Sequence, residues 1–225
     1  MLWQAWPVFR DFTPEYFPWH LTAPQTRFLT VALEQSIEVT TRFRDNPKAL
    51  YRDEGWTCLV RVSRPGKRGR IWKDEWRPFP EEEPLPVPVP RFDEGELEKL
   101  RLKASTVEHK GAWELDYYCS QAAARERKGD RPFYPLVVLV VYHGSGFILA
   151  SDLAAAGRLG ETLGGTLQRL LSELPTWPQQ IGVRRTDLLA MLLPVGQLLG
   201  IEIVPMDTLP DLAQARKAME RIFTR

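Results

Sequence analysis

The sequence predicts an α+β protein with two domains. The chain is long enough for two domains of ordinary size. Its first half shows one helix and one hairpin pattern, whereas its second half shows three strand patterns followed by alternating helices and strands. Between them, residues 81–96 are acidic and then alternate proline with apolar residues, which favours an extended linker. We therefore predict domains at 1–111, including this linker, and at 112–225.

The first domain is predicted to combine a helix with a small antiparallel sheet. Thr22 followed by Gln25 is a capping-box arrangement, and the apolar residues after it recur at helical spacing. A helix is therefore expected from about 23 to 43. The alternating residues 56–64 and the segment 70–79 flank a proline and two glycines, which indicates a hairpin with a loop of several residues.

The second domain is predicted to hold a mixed sheet covered by helices. Residues 113–121 alternate like a half-buried strand, and 134–153 form two apolar strand patterns around a glycine-containing turn. A leucine-lined helix, a strand, an apolar helix, a strand and a last helix follow, so the later strands should pair in parallel. This element order is that of the ribonuclease H-like fold. The partner of strand 113–121 stays open. If it paired with 135–142, which already pairs with the second strand of its hairpin, then 135–142 would have no free edge for a parallel neighbour.

Composition gives no bulk signal for a partner. The formal net charge is +1 and is balanced in both halves, so only a local basic patch could bind nucleic acid. No apolar run approaches the length of a membrane span, and the first residues lack the pattern of a secretory signal. We expect a cytoplasmic protein without a membrane partner. The excess of arginine over lysine is compatible with a thermophilic source.

Sequence motifs predict no resident cofactor. The two cysteines are far apart and the three histidines are scattered singly, so neither a disulfide framework nor a histidine-based metal site is indicated. No glycine-rich phosphate loop occurs. The turn HGSG, residues 143–146, lacks the spacing of a nucleophile elbow, and a hairpin turn explains it better.

Catalysis of the ribonuclease H type would need three or four converging carboxylates that hold two divalent ions, Mg²⁺ or Mn²⁺. A hairpin such as 134–153 often opens a nuclease-like domain whose first strand ends in a catalytic aspartate. Here Tyr142 and His143 occupy that place, and neither replaces a hard-oxygen ligand well. The remaining candidates for catalytic acids are Asp116, Asp152, Glu161 and Asp187.

Each of these acids also has a structural interpretation. Asp187 lies at the start of a predicted helix, where aspartate caps exposed amides and complements the helix dipole. Asp152 fits a turn, Glu161 fits the first turn of a helix, and Asp116 fits the solvent face of an alternating strand. Because each acid has such a structural explanation, the candidate acids favour a non-catalytic protein over an enzyme.

Basic residues around the predicted hairpin give the best local binding signal. A basic tip beside aromatic side chains can hold phosphates and stack bases, although such tips are commonly only solvated and nearby acids can neutralise this one. The candidates here are Arg61, Arg64, Lys67, Arg68, Arg70 and Trp72. Arg184 and Arg185 end a predicted strand and could line a ligand cleft at the carboxyl edge of the second sheet.

Several segments also resemble a known set of proteins: FRDFTPEYFPWHL, ALEQSIEV, RPFYPLVVLVVYHGSGFIL, PQQIGVRR and LLGIEIV. Together they resemble bacterial two-part proteins known only as domains of unknown function. The resemblance implies an intact family member and carries over no catalytic residue. Our first hypothesis is a non-catalytic binding or scaffold protein, with nucleic acid or another protein as partner, and the alternative is a metal-dependent nuclease or related nucleic-acid-processing enzyme.

Overall fold

The computed structural model describes residues 7–50, 57–67, 69–81 and 89–223. The chain divides into two compact units. The first consists of Met1–Asp11 with His20–Leu85, and the second of Phe12–Trp19 with Pro86–Arg225.

The first unit contains one long helix and one β-hairpin, as predicted. Helix α1 (Ala23–Phe43) begins with the expected capping box, in which Thr22 and Gln25 exchange hydrogen bonds. A short 3₁₀ helix, Pro47–Leu50, follows α1. Strands β1 (Thr57–Gly66) and β2 (Gly69–Pro78) pair antiparallel along their whole length.

The second unit holds a mixed five-stranded sheet, a two-stranded sheet and four helices within the described residues. Its elements in chain order are α2 (Glu94–Ala104), β3 (Glu108–His109), β4 (Ala112–Cys119), β5 (Leu136–Tyr142), β6 (Phe147–Ala154), α3 (Leu159–Glu173), β7 (Thr176–Trp177), β8 (Gln180–Val183), α4 (Thr186–Leu199), β9 (Glu202–Pro205) and α5 (Pro210–Phe223). The predicted α+β fold class, with a small antiparallel sheet and a mixed sheet of ribonuclease H-like element order, is confirmed.

Strand β4 is central in the mixed sheet, whose spatial order is β6-β5-β4-β8-β9. It pairs antiparallel with β5 along one edge and parallel with β8 along the other. The parallel neighbour therefore adds to β4 and not to β5, which resolves the open pairing of segment 113–121. Strand β4 precedes β5 in the chain and carries Asp116 within it, so the first strand of this sheet is 112–119 and not 134–142.

The two faces of the sheet bury different helices. One face carries Leu115 and Val138, which pack with leucines of α2, α3 and α4 in the larger core cluster. The other carries Leu139 and Val141, which pack against Leu212 of α5. Each of these side chains is buried, and full burial stabilises a leucine or valine by about 1.5–3 kcal/mol. The central strands are therefore covered on both sides.

Residues 89–110 lie in the second unit, whereas the sequence places the domain boundary at 111/112. Leu100 of α2 is 2% exposed in the larger core cluster. Lys103 Nζ donates to the carbonyl oxygens of Leu171 and Leu174 at the end of α3, at 2.8 and 3.1 Å. Helix α2 has only one buried side chain, so its sequence lacks the apolar stripe that would signal packing onto the sheet.

No helix in the described ranges combines the length and the apolar character needed to cross a membrane.

Candidate functional site

The carboxyl ends of β4 and β8 separate at the centre of the sheet. Pairing between them runs from Ala112–Gln180 to Glu114–Gly182. Strand β8 then ends at Val183 and the chain enters α4, whereas β4 continues to Cys119. Neighbouring parallel strands whose chains depart in different directions form the usual ligand position of open α/β sheets.

Five side chains gather at this position, and we name them the carboxyl-end cluster. Tyr117 Oη donates to Asp187 Oδ2 at 2.6 Å. Arg185 donates to both oxygens of the same carboxylate, at 3.1 and 3.0 Å, and its guanidinium lies 4.3 Å from the centre of the Tyr117 ring. The members of the cluster are Asp116, Tyr117, Arg184, Arg185 and Asp187.

Asp187 is held ionised by its neighbours. Burial raises the pKa of Asp187, but hydrogen bonds from Arg185, Tyr117 and the Leu188 amide outweigh this and keep its pKa below the usual value. Burial, followed by the hydrogen bond to Asp187, raises the pKa of Tyr117 to about 12. The predicted capping role takes a modified form, because Arg185 is the N-cap residue and Asp187 is the second residue of the helix. There its charge complements the helix dipole.

Asp116 and Arg184 are the less constrained members of the cluster. Burial raises the pKa of Asp116, and the negative charge of Asp187 adds to this rise. The hydrogen bond from the Tyr117 amide and the positive charges of Arg185 and Arg184 lower the pKa, but they do not outweigh the rise. The Asp116 carboxylate accepts one hydrogen bond, from the Tyr117 amide at 2.8 Å. Arg184 is exposed, and within the described part of the chain it has no hydrogen bond or ion pair. The cluster thus offers one accessible cation beside a carboxyl group.

The other two candidate acids lie on helix α3 and the edge strand β6. Asp152 Oδ2 accepts from Thr166 Oγ1 at 2.6 Å and from Arg169 at 2.7 Å. Glu161 pairs with Arg91 at 3.1 Å and is exposed. Both carboxylates therefore have cationic partners within the second unit.

The four candidate acids do not converge. Asp116 lies opposite Leu139 and Asp152 lies opposite Val138 in the antiparallel ladder, and Leu139 and Val138 belong to cores on opposite faces. Directly paired residues point to the same face, so Asp116 and Asp152 point to opposite faces. Asp116 and Asp187 come close enough to interact electrostatically.

Most basic side chains of the β1–β2 hairpin are engaged within the first unit. Arg61 donates to Glu38 and Asp74, both at 2.7 Å, and its side chain is only 13% exposed. Hydrogen bonds from Arg42 and Arg61 lower the pKa of Asp74 to about 2. Arg64 pairs with Glu75 at 3.2 Å. Arg61 therefore links α1 to the hairpin and is not presented to solvent.

The remaining residues of the predicted hairpin site differ in their exposure and in their hydrogen-bond partners. Arg70 donates to Ser63 Oγ at 3.1 Å, and Trp72 is half-buried. Lys67 is exposed, without a hydrogen bond or ion pair to any residue in the described ranges. Arg68 lies outside the described residues. Binding by this hairpin stays a prediction, with Lys67 and Arg70 as exposed cations.

A second polar group contains residues that sequence reasoning missed. Glu114, His143 and Asp211 each place a ligand atom within 4.8 Å of the others, and they form the only such group of three among the described residues. Alternation along β4 puts Glu114 and Asp116 on one face, but it does not reveal that α5 covers that face. The signal available in the sequence was that these two acids lie in one strand, next to the apolar strand β5.

These features define an α+β protein whose mixed sheet has ribonuclease H-like element order and whose candidate acids are dispersed. A family model described as "Domain of unknown function (DUF6930)" matches residues 96–220, more than half of the chain, and the protein belongs to this family. A second model, "Domain of unknown function (DUF7309)", matches residues 3–61. The predicted resemblance to a two-part family of unknown function is thus supported. No curated protein matches.

One solved structure that is similar to this chain is described as the "Crystal structure of catalytic core domain of BIV integrase in crystal form I". The identity is 10%, the match covers 49% of this chain and 64% of that chain, and the TM-score is 0.33. The chain thus spans less than two thirds of the length of that structure. A likeness at this level carries no argument about activity.

Proposed function

We propose that the protein is a non-catalytic binding protein whose second unit holds an anionic partner at the carboxyl-end cluster. The observation that carries this proposal is that Asp116 and Asp152 point to opposite faces of the sheet. A two-metal site needs its carboxylates around two ions roughly 4 Å apart. Asp152, Glu161 and Asp187 are instead paired with arginines, which supports a structural role for them.

Nucleic acid is the anionic partner that we favour. Arg184 is exposed at the carboxyl ends of the sheet, and Arg185 beside it is fixed by a bidentate ion pair. Phosphates bind to such cations with a strong dependence on salt. In the first unit, Lys67 supplies an exposed cation at the hairpin tip, although the paired arginines around it reduce the charge available there.

Fluorescence anisotropy tests this proposal. Labelled single-stranded and duplex DNA and RNA are titrated with the full chain at low and moderate salt, with Mg²⁺ or Mn²⁺ present. We expect salt-sensitive binding that weakens in Arg184→Ala, with the salt slope reduced by about one. Arg101→Ala is the matched control, because Arg101 is an exposed arginine on α2 with only a 4.0 Å ion pair. Equal binding by the two variants, or no binding at low salt, would contradict the proposal.

A metal-dependent nuclease is the second candidate, and the proximity of Asp116 to Asp187 favours it. Asp116 lies on β4 just past its last pair with β8, and Asp187 lies at the start of α4, the helix that follows β8. Running the binding samples on a gel tests this candidate. We expect intact nucleic acid. Cleavage that requires Mg²⁺ or Mn²⁺ and disappears in Asp116→Asn would establish the enzyme and refute the non-catalytic reading.

A further inference from the structure

Glu114 is a buried carboxylate at the interface between the sheet and α5. Its side chain is 1% exposed, and it lies between the buried residues Trp113 and Leu115 on the central strand. Oε2 accepts from the Leu212 amide in the first turn of α5 at 2.7 Å. Oε1 lies 2.8 Å from His143 Nδ1. A buried charge without partners is strongly unfavourable, so this position requires compensating positive charge.

A second carboxylate converges on the same imidazole nitrogen. Asp211 Oδ2 lies 3.3 Å from His143 Nδ1, and the Gly144 amide donates to that oxygen at 2.8 Å. One ring nitrogen carries at most one hydrogen, so it cannot donate a full hydrogen bond to two carboxylates at once. Two carboxylates that share one site also repel each other. A cation between the three groups would satisfy all of them.

The spacing of these groups is close to that of a metal site. Two ligand atoms on a tetrahedral zinc ion, each about 2.0–2.1 Å from the metal, are roughly 3.3 Å apart. The Nδ1 to Asp211 distance equals this value, and the Nδ1 to Glu114 distance of 2.8 Å is about half an ångström shorter. A modest movement of the half-exposed His143 ring would therefore make room for the ion.

We propose that Glu114, His143 and Asp211 bind a divalent transition-metal ion, with Zn²⁺ as the best match. One imidazole nitrogen with two carboxylate oxygens suits zinc and related ions, whereas Mg²⁺ prefers oxygen ligands alone. The His143 side chain is 43% exposed, which leaves a path for the ion and a fourth position for water. The Leu212 amide orients Glu114 from behind, as outer hydrogen bonds do for metal ligands.

The local backbone supports the site. His143 lies in the turn between β5 and β6, where Gly144 and Gly146 have φ values of +89° and +68°. Glycine adopts this left-handed region without strain, so the turn can present the histidine and the Gly144 amide to Asp211 together. This metal site lies outside the carboxyl-end cluster and does not rest on the proposed nucleic-acid binding.

Metal titration tests the proposal on the full chain after dialysis against a chelator. We expect isothermal titration calorimetry to show one equivalent of Zn²⁺ per chain, with a matching rise in melting temperature. Co²⁺ should give the visible absorption of a low-coordinate site. His143→Ala and Asp211→Asn should each weaken Zn²⁺ binding more than tenfold. His20→Ala is the control, since it removes an exposed histidine from the first unit and should leave binding unchanged.

Two results would overturn the metal site. The first is no saturable binding of Zn²⁺, Co²⁺ or Mn²⁺ by the wild-type protein. The second is Zn²⁺ binding that is equal in wild type, His143→Ala and Asp211→Asn. Circular dichroism of both variants verifies that the fold is retained, and the partly exposed positions of His143 and Asp211 make this the expected result. The Zn²⁺ titration contains no nucleic acid, so its failure is distinguishable from failure of the proposed function.

Discussion

Replacing Glu114 by glutamine should destabilise the second unit through the docking of α5. The carboxylate accepts the Leu212 amide and lies against His143 Nδ1, and it is buried. Glutamine keeps one acceptor oxygen but places an amide NH₂ where the other oxygen was. A hydrogen bond to a charged group contributes about 1.5–3 kcal/mol, and the substitution removes one of the two. For a protein of this size that loss corresponds to a drop in melting temperature of roughly 3–12 °C.

The assay is thermal unfolding followed by circular dichroism, with a chelator present so that bound metal plays no part. Glu202→Gln is the matched control, because Glu202 is also a strand glutamate but is exposed on β9. Surface substitutions of this kind usually change stability by less than about 0.5 kcal/mol. If Glu114→Gln lowers the melting temperature no more than Glu202→Gln does, the buried carboxylate does not anchor α5 and our account of this interface is wrong.

Four further predictions concern stability, and the last of them also concerns nucleic-acid binding. Gly164→Ala should lower the melting temperature, because a Cβ there would clash with a backbone carbonyl, whereas Gly165→Ala has open space and should be neutral or stabilising by up to about 1 kcal/mol. Asp187→Asn should destabilise the second unit at neutral pH. Because the pKa of Asp187 is lowered in the folded protein, its contribution to the free energy of unfolding is present above about pH 4 and is lost as the pH falls further. The acid denaturation curves of the variant and the wild type should therefore converge. Asp74→Asn should likewise destabilise the first unit at neutral pH, and the stability difference from wild type should be lost between about pH 4 and the folded pKa of Asp74, about 2. Arg61→Ala should destabilise the first unit in thermal unfolding without weakening nucleic-acid binding.

Local patterns predicted the elements because short-range chemistry determines them. The capping box at Thr22 and Gln25 marks the start of α1, and Pro210 stands at the start of α5. The alternation in 113–121 and the apolar segment 134–153 correspond to three strands of the mixed sheet. Strand neighbours were harder to predict, because periodicity identifies the faces of a strand but not the strands beside it.

The candidate site was only partly predictable for the same reason. Asp116, Arg184, Arg185 and Asp187 do come together, since the carboxyl ends of neighbouring parallel strands share one edge of the sheet. Asp152 and Asp116 were grouped without knowledge of the β5 register, which places them on opposite faces. Sequence reasoning did not single out Glu114, which lies in an alternating strand. Its burial depends on α5, which is distant in sequence.

The arrangement of acids on β4 also bears on the choice between binding and catalysis. Glu114 and Asp116 point to the same face and are two residues apart, which corresponds to about 6.6 Å along a strand. Each has different partners: Glu114 lies against His143 Nδ1 and accepts from the Leu212 amide of α5, whereas Asp116 lies near the arginines before α4. A two-metal centre would require carboxylates to share ions roughly 4 Å apart. The separate compensation of these two acids therefore favours a single ion at Glu114 and an anionic ligand near Arg184 over a joint catalytic centre.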